Sequence, residues 1–275
     1  MIVCVNGEFV DAADAKISVF DHGLLYGDGV FDTIAGVGGR IFWLSEHIDR
    51  LLDGCSRIDL ALPWSKQALM DMTEAVFRRN GGHSGRIRIT ITRGAGEVPL
   101  TALHTCRPML IIFSTPLEQY PSELYTRGLK LAIAPYGRIY PRVKSLSFLA
   151  SVFGYLTASS LGCDEAVFVD HDGNLLEGST FNVFIVKDGR IATPRENMLQ
   201  GVTRDKVVEM ARTMGFQVDE VTVPLTDAQQ ADEMFATGTT KKIVPITQLG
   251  DHMIANREVG RVTSALMKQF AELYF

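Results

Sequence analysis

The chain has 275 residues, 46% of them hydrophobic, and its 27 basic and 32 acidic side chains leave a formal net charge of −5. That length can build one large domain or two modest ones around a sizeable core. The interspersed charge supplies neither a basic stripe for nucleic acid nor a polybasic helix for a membrane surface, which leaves small-molecule chemistry as the expectation. Cys4, Cys55, Cys106 and Cys163 lie far apart with no C-x-x-C and no zinc spacing, so they are expected as reduced thiols of a cytoplasmic protein. The opening MIVCVNGEFV lacks a basic region ahead of a long apolar run, and no stretch approaches the ~20 apolar residues of a membrane span.

In chain order, MIVCVNGEFVDA alternates around Asn6-Gly7, a pair that tolerates positive φ, and predicts a hairpin. WLSEHIDRLLDGCSRIDL places Leu44, His47, Ile48, Leu51, Leu52 and Cys55 at helical spacing, with Ser45 as the candidate cap. KQALMDMTEAVFRRNGG repeats the pattern and ends in glycines. GRIRITITRG and RPMLIIFST predict strands, so residues 1–114 read as a small α/β domain. TPLEQYPSELYTRG, 115–128, has two prolines and little periodicity and is the expected linker. Residues 129–275 then read as a larger, strand-rich domain. It comprises strand LKLAIAPY, the Lys144 segment, and a run with turns at Asp172-Gly173 and Asp188-Gly189. The amphipathic helix TRDKVVEMARTMG, the strand and turn EMFATGTTKKIVPI, and a terminal helix follow.

Several residues could carry chemistry. Lys144 leads into an apolar segment in IYPRVKSLSFLASVFGYL, and is either a boundary charge or an amine held in a dry site where losing a proton is useful. Gly201, Val202 and Thr203 open a helix whose N–H groups and dipole favour an anion, although a plain loop and cap would read the same. Gly238, Thr239 and Thr240 form a second candidate anion nest or an ordinary turn. Glu177 is either a partly buried carboxylate in want of a cation or a hairpin-edge glutamate facing water. Arg50, on the amphipathic helix HIDRLLDG, either snorkels to water or reaches a phosphate. DHDGN at 170–174 lacks the glycine and the twelfth-position glutamate of a calcium loop and reads as a hairpin turn. The six histidines form no H-E-x-x-H and no i, i+4 pair, so no metal site is expected. GDGVF at 27–31 does not have the spacing of a dinucleotide fingerprint.

Taken together and in order, DHGLLYGDGVFDTI, EHIDRL, PRVKSLSFL, DEAVFVDHDGNLLEGSTFNVFIV, LQGVTRDKV and FATGTTKKIVPI resemble the class IV, fold-type IV pyridoxal-phosphate enzymes. That family comprises branched-chain aminotransferases, D-amino-acid aminotransferases and aminodeoxychorismate lyases. The resemblance implies an α/β (α+β) fold of two domains, a small N-terminal one and a larger C-terminal pseudo-barrel that binds pyridoxal 5′-phosphate. It implies that Lys144 carries the cofactor aldehyde as a Schiff base and moves the substrate Cα proton. Glu177 is implied as the partner of the pyridine nitrogen. Arg50, Gly201, Val202, Thr203 and Thr239 are implied around the phosphate, Leu199 against one ring face, and Thr240 beside substrate. A homodimer is also implied.

The member within the family is read from the pocket residues. Arg88 matches the arginine of branched-chain enzymes, whereas Arg86 stands where they carry a tyrosine. GAGEVPL, with Val98 and Leu100, lacks the arginine and histidine of the D-amino-acid enzymes. The E-G-S-x-x-N and G-T-T pieces favour transamination over the lyase, although TRG at 92–94 is close to the lyases' SRG. Arg86 and Arg88, two apart on a strand, share a face and suit a dicarboxylate such as 2-oxoglutarate if that face lines the pocket. Phe31 and Phe148, where relatives often have tyrosines, suit a hydrophobic amino donor. The expected function is transfer of an amino group between a hydrophobic amino acid, L or D, and a 2-oxo acid. The lyase, the D-amino-acid enzyme and a binding module without chemistry are the alternatives.

Overall fold

The computed structural model describes residues 1–274, and the chain divides into two compact units. The first comprises residues 1–118 together with Val143–Phe148, and the second comprises Gln119–Arg142 and the chain from Leu149 onward. The sequence boundary was expected within 115–128. The division falls between Glu118 and Gln119, and the Lys144 segment is counted with the first unit.

The first unit holds β1 (Ile2–Val5), β2 (Glu8–Asp11), α1 (His22–Tyr26), β3 (Gly29–Val37), β4 (Arg40–Ile41), α2 (Leu44–Arg57), α3 (Lys66–Arg79), β5 (Gly85–Ala95) and β6 (Arg107–Thr115). Its strands form one antiparallel sheet in the order β2-β1-β6-β5-β3-β4. The first hairpin pairs Val5 with Glu8, and its turn residues Asn6 and Gly7 both take positive φ, 52° and 96°, as a tight two-residue loop demands. Strand alternation then sorts the side chains. Ile87, Ile89 and Ile91 of β5 are fully buried in the core shared with Ile48, Leu51 and Leu69 of the helices. Arg86, Arg88 and Thr90 point to the other face, where the register sets Thr90 opposite Phe31 and Arg88 opposite Thr33.

The expected cap of α2 is corrected. Ser45 lies inside the first turn, and the N-cap is Trp43 in the left-handed region at φ 50°, with no side-chain capping hydrogen bond. Only one residue separates Trp43 from the end of β4, and a left-handed step there turns the chain directly into the helix. Ser65 does cap α3, accepting from the N–H of Ala68.

The second unit holds α4 (Ser122–Arg127), β7 (Leu129–Ala134), α5 (Leu149–Ser160), β8 (Glu165–Val169), β9 (Asn174–Gly178), β10 (Asn182–Lys187), β11 (Arg190–Pro194), α6 (Val202–Thr213), β12 (Val218–Val221), β13 (Val223–Pro224), α7 (Leu225–Gln229), β14 (Glu233–Gly238), β15 (Lys242–Leu249), β16 (His252–Met253) and α8 (Arg261–Tyr274). Its strands run β12-β11-β10-β14-β15-β7-β8-β9-β13, with β16 beside β15. The result is a strand-rich pseudo-barrel sheet, in which β7 lies parallel to both neighbours and the hairpins are antiparallel. Helix α4 falls within the expected linker and buries Leu124. The DHDGN turn is local: Asp170 Oδ1 accepts from the N–H groups of Asp172 and Asn174. Helix α5 lays Ser151, Gly154 and Ala158 on the sheet, and a Cβ at Gly154 would stand 3.2 Å from the Phe168 ring. Its opposite face exposes Leu149, Val152, Phe153 and Leu156.

Candidate active site

In the first unit the backbone around Lys144 is tied to the start of β3. Phe31 donates its N–H to the carbonyl of Lys144 at 2.9 Å, and Leu146 donates to the carbonyl of Gly29 at 3.0 Å. Gly27 stands beside this segment at φ 68°, in the left-handed region that favours glycine. The Lys144 ammonium then lies 4.8 Å from the centroid of the Phe31 ring, and the Arg88 guanidinium carbon lies 3.8 Å from the same centroid. Phe148 meets Phe31 edge to face at 5.7 Å. Lys144, Arg88, Phe31 and Phe148 are thus one cluster, and Arg86 is exposed at its margin. Burial, and after it the charge of Arg86, lowers the Arg88 pKa from its ordinary value, while Asp32 opposes them. Arg88 also donates to the Thr90 hydroxyl at 3.2 Å.

Strand alternation sends Asp32 to the helix side. Its carboxylate accepts from Arg50 Nε at 2.9 Å and Nη2 at 2.7 Å and faces His47 Nδ1 at 2.8 Å. Asp32 and His47 are fully buried, and His47 Nε2 has no hydrogen-bond partner. Burial pulls the Asp32 carboxyl upward, but Arg50 and then His47 outweigh it and hold the group well below the ordinary carboxylate range. For His47 burial is the largest influence and depresses its pKa against the pull of Asp32; Arg50 and Lys144 push the same way as burial. Arg50 is therefore an oriented cation on α2 rather than a solvated one, with 12% of its side chain exposed.

In the second unit Glu177 is buried at the end of β9. One carboxylate oxygen accepts from Arg138 through Nε at 3.0 Å and also through Nη2, and the other accepts from the Leu199 N–H at 3.1 Å. Asn182 donates to the Leu199 carbonyl at 2.7 Å, and its Oδ1 would stand 2.1 Å from a Cβ at position 201, so only glycine fits there. Gly201 is the N-cap of α6 and supplies no side-chain bond, which leaves the first-turn N–H groups of Val202 and Thr203 without an intrahelical partner. The Thr203 hydroxyl is buried and unpartnered as well. On the β14–β15 turn, Thr239 and Thr240 are half-buried, and the Tyr120 hydroxyl is 3.3 Å from that of Thr240.

The expected residues therefore form two groups. Lys144, Arg50, Phe31, Arg86 and Arg88 belong to the first unit, and Glu177, Leu199, Gly201, Val202, Thr203, Thr239 and Thr240 to the second. Asp32, His47, Arg138 and Asn182 were not singled out for a role, although His47 and Asp32 stand inside the quoted EHIDRL and GDGVFDTI pieces. Among the described residues, no group of three or more His, Cys, Asp or Glu is placed to hold a metal, and no helix is long and apolar enough to cross a membrane.

Comparison with known proteins places this architecture. The family model for amino-transferase class IV matches residues 29–249. The chain is 38% identical over 277 residues to a Methanocaldococcus jannaschii protein, itself only provisionally named a branched-chain-amino-acid aminotransferase, covering 99% of this chain and 96% of that one. It is 30% identical to the D-alanine aminotransferase of Listeria monocytogenes, with the same two coverages. Among solved structures, the branched-chain amino acid aminotransferase of Escherichia coli superposes with a TM-score of 0.95 at 28% identity, over 99% of this chain and 94% of that one. The chain belongs to the class IV aminotransferases. The protein is a pyridoxal-phosphate-dependent transaminase of fold-type IV.

The residues present fit that cofactor's chemistry. A phosphate calls for donors, and the start of α6 has a glycine cap, outward N–H groups and an orphaned buried hydroxyl at Thr203. A pyridine nitrogen that is to stay protonated calls for a buried carboxylate, and Glu177 is one.

Proposed function

We propose that this aminotransferase moves the amino group of a hydrophobic, branched-chain type of amino acid to a 2-oxo acid, with 2-oxoglutarate as the preferred acceptor. The observation that carries the reading is the placing of Arg88 and Lys144 around the single ring of Phe31. An arginine fork then binds a carboxylate within reach of the reactive amine, while Phe31 and Phe148 offer apolar surface to a side chain. The named activities of the Methanocaldococcus and Escherichia relatives support the branched-chain donor.

Pyridoxal phosphate, when bound, supplies the electron sink that weakens the bonds at the substrate Cα. The residues around it do the rest. Lys144 would hold the cofactor aldehyde through its amine, and its Nζ would accept and return the substrate Cα proton. The Phe31 ring lies beside that amine, with Phe148 edge to face on it. Glu177, held by Arg138 and the Leu199 N–H, would keep a proton on the pyridine nitrogen. Leu199 would pack against the cofactor ring. Val202 and Thr203 at the α6 start and Thr239 on its turn would hold the phosphate, and in the first unit Arg50, aimed by Asp32, is the cation proposed for it. Thr240 and Arg86 flank the substrate.

Replacing Arg88 with Ala tests the acceptor. Use of 2-oxoglutarate should fall roughly ten- to a hundred-fold more than use of pyruvate, because one charge-assisted carboxylate contact is lost. Equal losses would assign Arg88 to the carboxylate common to all acceptors, and no loss would remove it from the pocket. A D-amino donor is the second reading, favoured by the Listeria relative. Titrating the holoenzyme with L- and D-leucine, while following the visible band of the cofactor, separates the two by which enantiomer bleaches it.

We infer further that the protein works as a homodimer in a reducing, cytoplasmic setting. The exposed apolar face of α5 and the four free cysteines support these readings. Sedimentation at micromolar concentration should show at least a dimer, and a fully active monomer would refute it.

A further inference from the structure

Two turns of the second unit carry opposite ends of the proposed cofactor contacts. The turn after β9, Gly178 to Phe181, follows Glu177, and the turn between β14 and β15 carries Gly238, Thr239 and Thr240. Strands β9 and β14 share no ladder, because β9 lies near one end of the sheet and β14 pairs with β10 and β15. The β9 turn runs into β10, and the Asn182–Thr237 pair brings the two turns side by side, so what is left to side chains is how the residues beyond that pair are set.

Lys241 supplies a direct link. Its Nζ lies 2.5 Å from Glu165 Oε1 and donates to the Thr180 hydroxyl at 2.7 Å. The other oxygen of Glu165 accepts from the Ser179 hydroxyl, so the carboxylate holds the β9 turn while it holds the lysine. Only 10% of the Lys241 side chain and 13% of the Glu165 side chain are exposed. The Tyr120 and Phe181 rings lie 5.6 and 6.0 Å from the ammonium. The backbone of Lys241 is held too, since its carbonyl accepts from the Tyr125 hydroxyl at 3.2 Å.

An apolar pair of similar volume would fill this space without the cost of desolvating two charges. What the ionic pair adds is direction: each partner has defined donors and acceptors that admit one relative placing of the turns. The ammonium is engaged with Glu165 and Thr180, so its influence on a phosphate runs through the turn that Thr239 occupies rather than through contact. We propose that Lys241, acting through Glu165 and Thr180, is a positioning residue that sets the Gly238–Thr240 turn against the Glu177 turn and thereby matches the protein to the phosphate end of pyridoxal phosphate. The proposal rests on the reading that Thr239 meets the phosphate and Glu177 the ring nitrogen.

The test compares apo-protein binding of pyridoxal 5′-phosphate with that of pyridoxal, which has the ring and aldehyde but no phosphate, by calorimetry. Lys241→Met should weaken pyridoxal 5′-phosphate about ten-fold or more and leave pyridoxal near the wild-type value, because a displaced turn costs only the phosphate contacts. The double variant Lys241→Met, Glu165→Met removes both charges together. It should hold the wild-type unfolding midpoint yet show the same selective loss. Wild-type preference for the phosphorylated ligand in both variants would overturn the proposal, as would equal weakening of both ligands. A wild-type protein that binds the two ligands equally would instead overturn the phosphate reading itself, and the proposal with it.

Discussion

In the first unit the charged groups of the site satisfy one another: Asp32 accepts twice from Arg50 and contacts His47, and Arg88 and Lys144 share the Phe31 ring. In the second unit the α6 start has no capping side chain, and the buried Thr203 hydroxyl has no partner. In the first cluster each charge already has a protein contact, whereas the α6 start offers backbone N–H groups and a hydroxyl that have none within the helix. Cations brought close together need a carboxylate to stay folded, and Asp32 provides it. Backbone N–H groups carry only partial charge, so a helix start can wait for an anion at modest cost.

The contrast is most exposed to test at Lys144, because the first cluster holds the only reactive amine proposed and the second holds none. Lys144→Ala should abolish transamination while the protein still binds pyridoxal 5′-phosphate through its phosphate contacts. Borohydride treatment followed by peptide mapping should then find no cofactor attached to the variant, and wild-type protein should carry it on Lys144 alone. Cofactor fixed to any other lysine would refute the assignment.

Glu177 offers the next largest effect and belongs to the second cluster. Glu177→Gln keeps the shape and an oxygen acceptor but loses the charge that keeps the pyridine nitrogen protonated. Turnover should fall by ~10²-fold or more, the scale on which one preorganised electrostatic contact acts, with cofactor affinity changing far less. The variant also leaves the buried Arg138 without its carboxylate partner. Arg138→Gln in the same background should therefore restore folded stability without restoring turnover. Recovery of turnover in that double variant would show that Glu177 serves Arg138 rather than the ring.

How far the sequence carried these clusters depends on how local each signal is. The hairpins were legible because Asn6-Gly7 and Asp188-Gly189 take positive φ at their turns and adjacent residues pair: Val5 with Glu8, Lys187 with Arg190. The parallel pairing of β7 with β15 was not, since it joins Ile246 to Leu129 across the length of the unit. Among the site residues, those with a local reason were readable, such as Gly201 at a helix start or Arg88 alternating with isoleucines. Ion-pair partners were not: Arg50 and Asp32 are 18 positions apart, Arg138 and Glu177 39, Lys241 and Glu165 76. A charge in a sequence does not name its counterion. Ser45 failed for the opposite reason: a cap residue was present too far along, inside the first turn, and the left-handed Trp43 took its place.

The smallest of the expected effects concerns acid. Both Asp32 and His47 have folded pKa values below their ordinary ones, so the folded protein binds fewer protons than the unfolded chain as pH falls. Each therefore contributes stability that is present above its unfolded pKa and is lost below it. His47 acts first, from about pH 6.5 downward to its depressed folded value, and Asp32 acts from about pH 3.9 downward. While one proton of difference persists, the slope is no more than about 1.4 kcal/mol per pH unit. Acid should therefore loosen the α2–β3 side of the first unit as these two groups take up protons. Urea midpoints measured at pH 7.5, 5.5 and 3.5 should decline in wild type across both intervals. His47→Gln should flatten the first interval and leave the second, because the neutral amide still donates to Asp32 but cannot take up a proton. An unchanged decline between pH 7.5 and 5.5 in that variant would place the acid-sensitive group elsewhere and remove His47 from the account of how Arg50 is held.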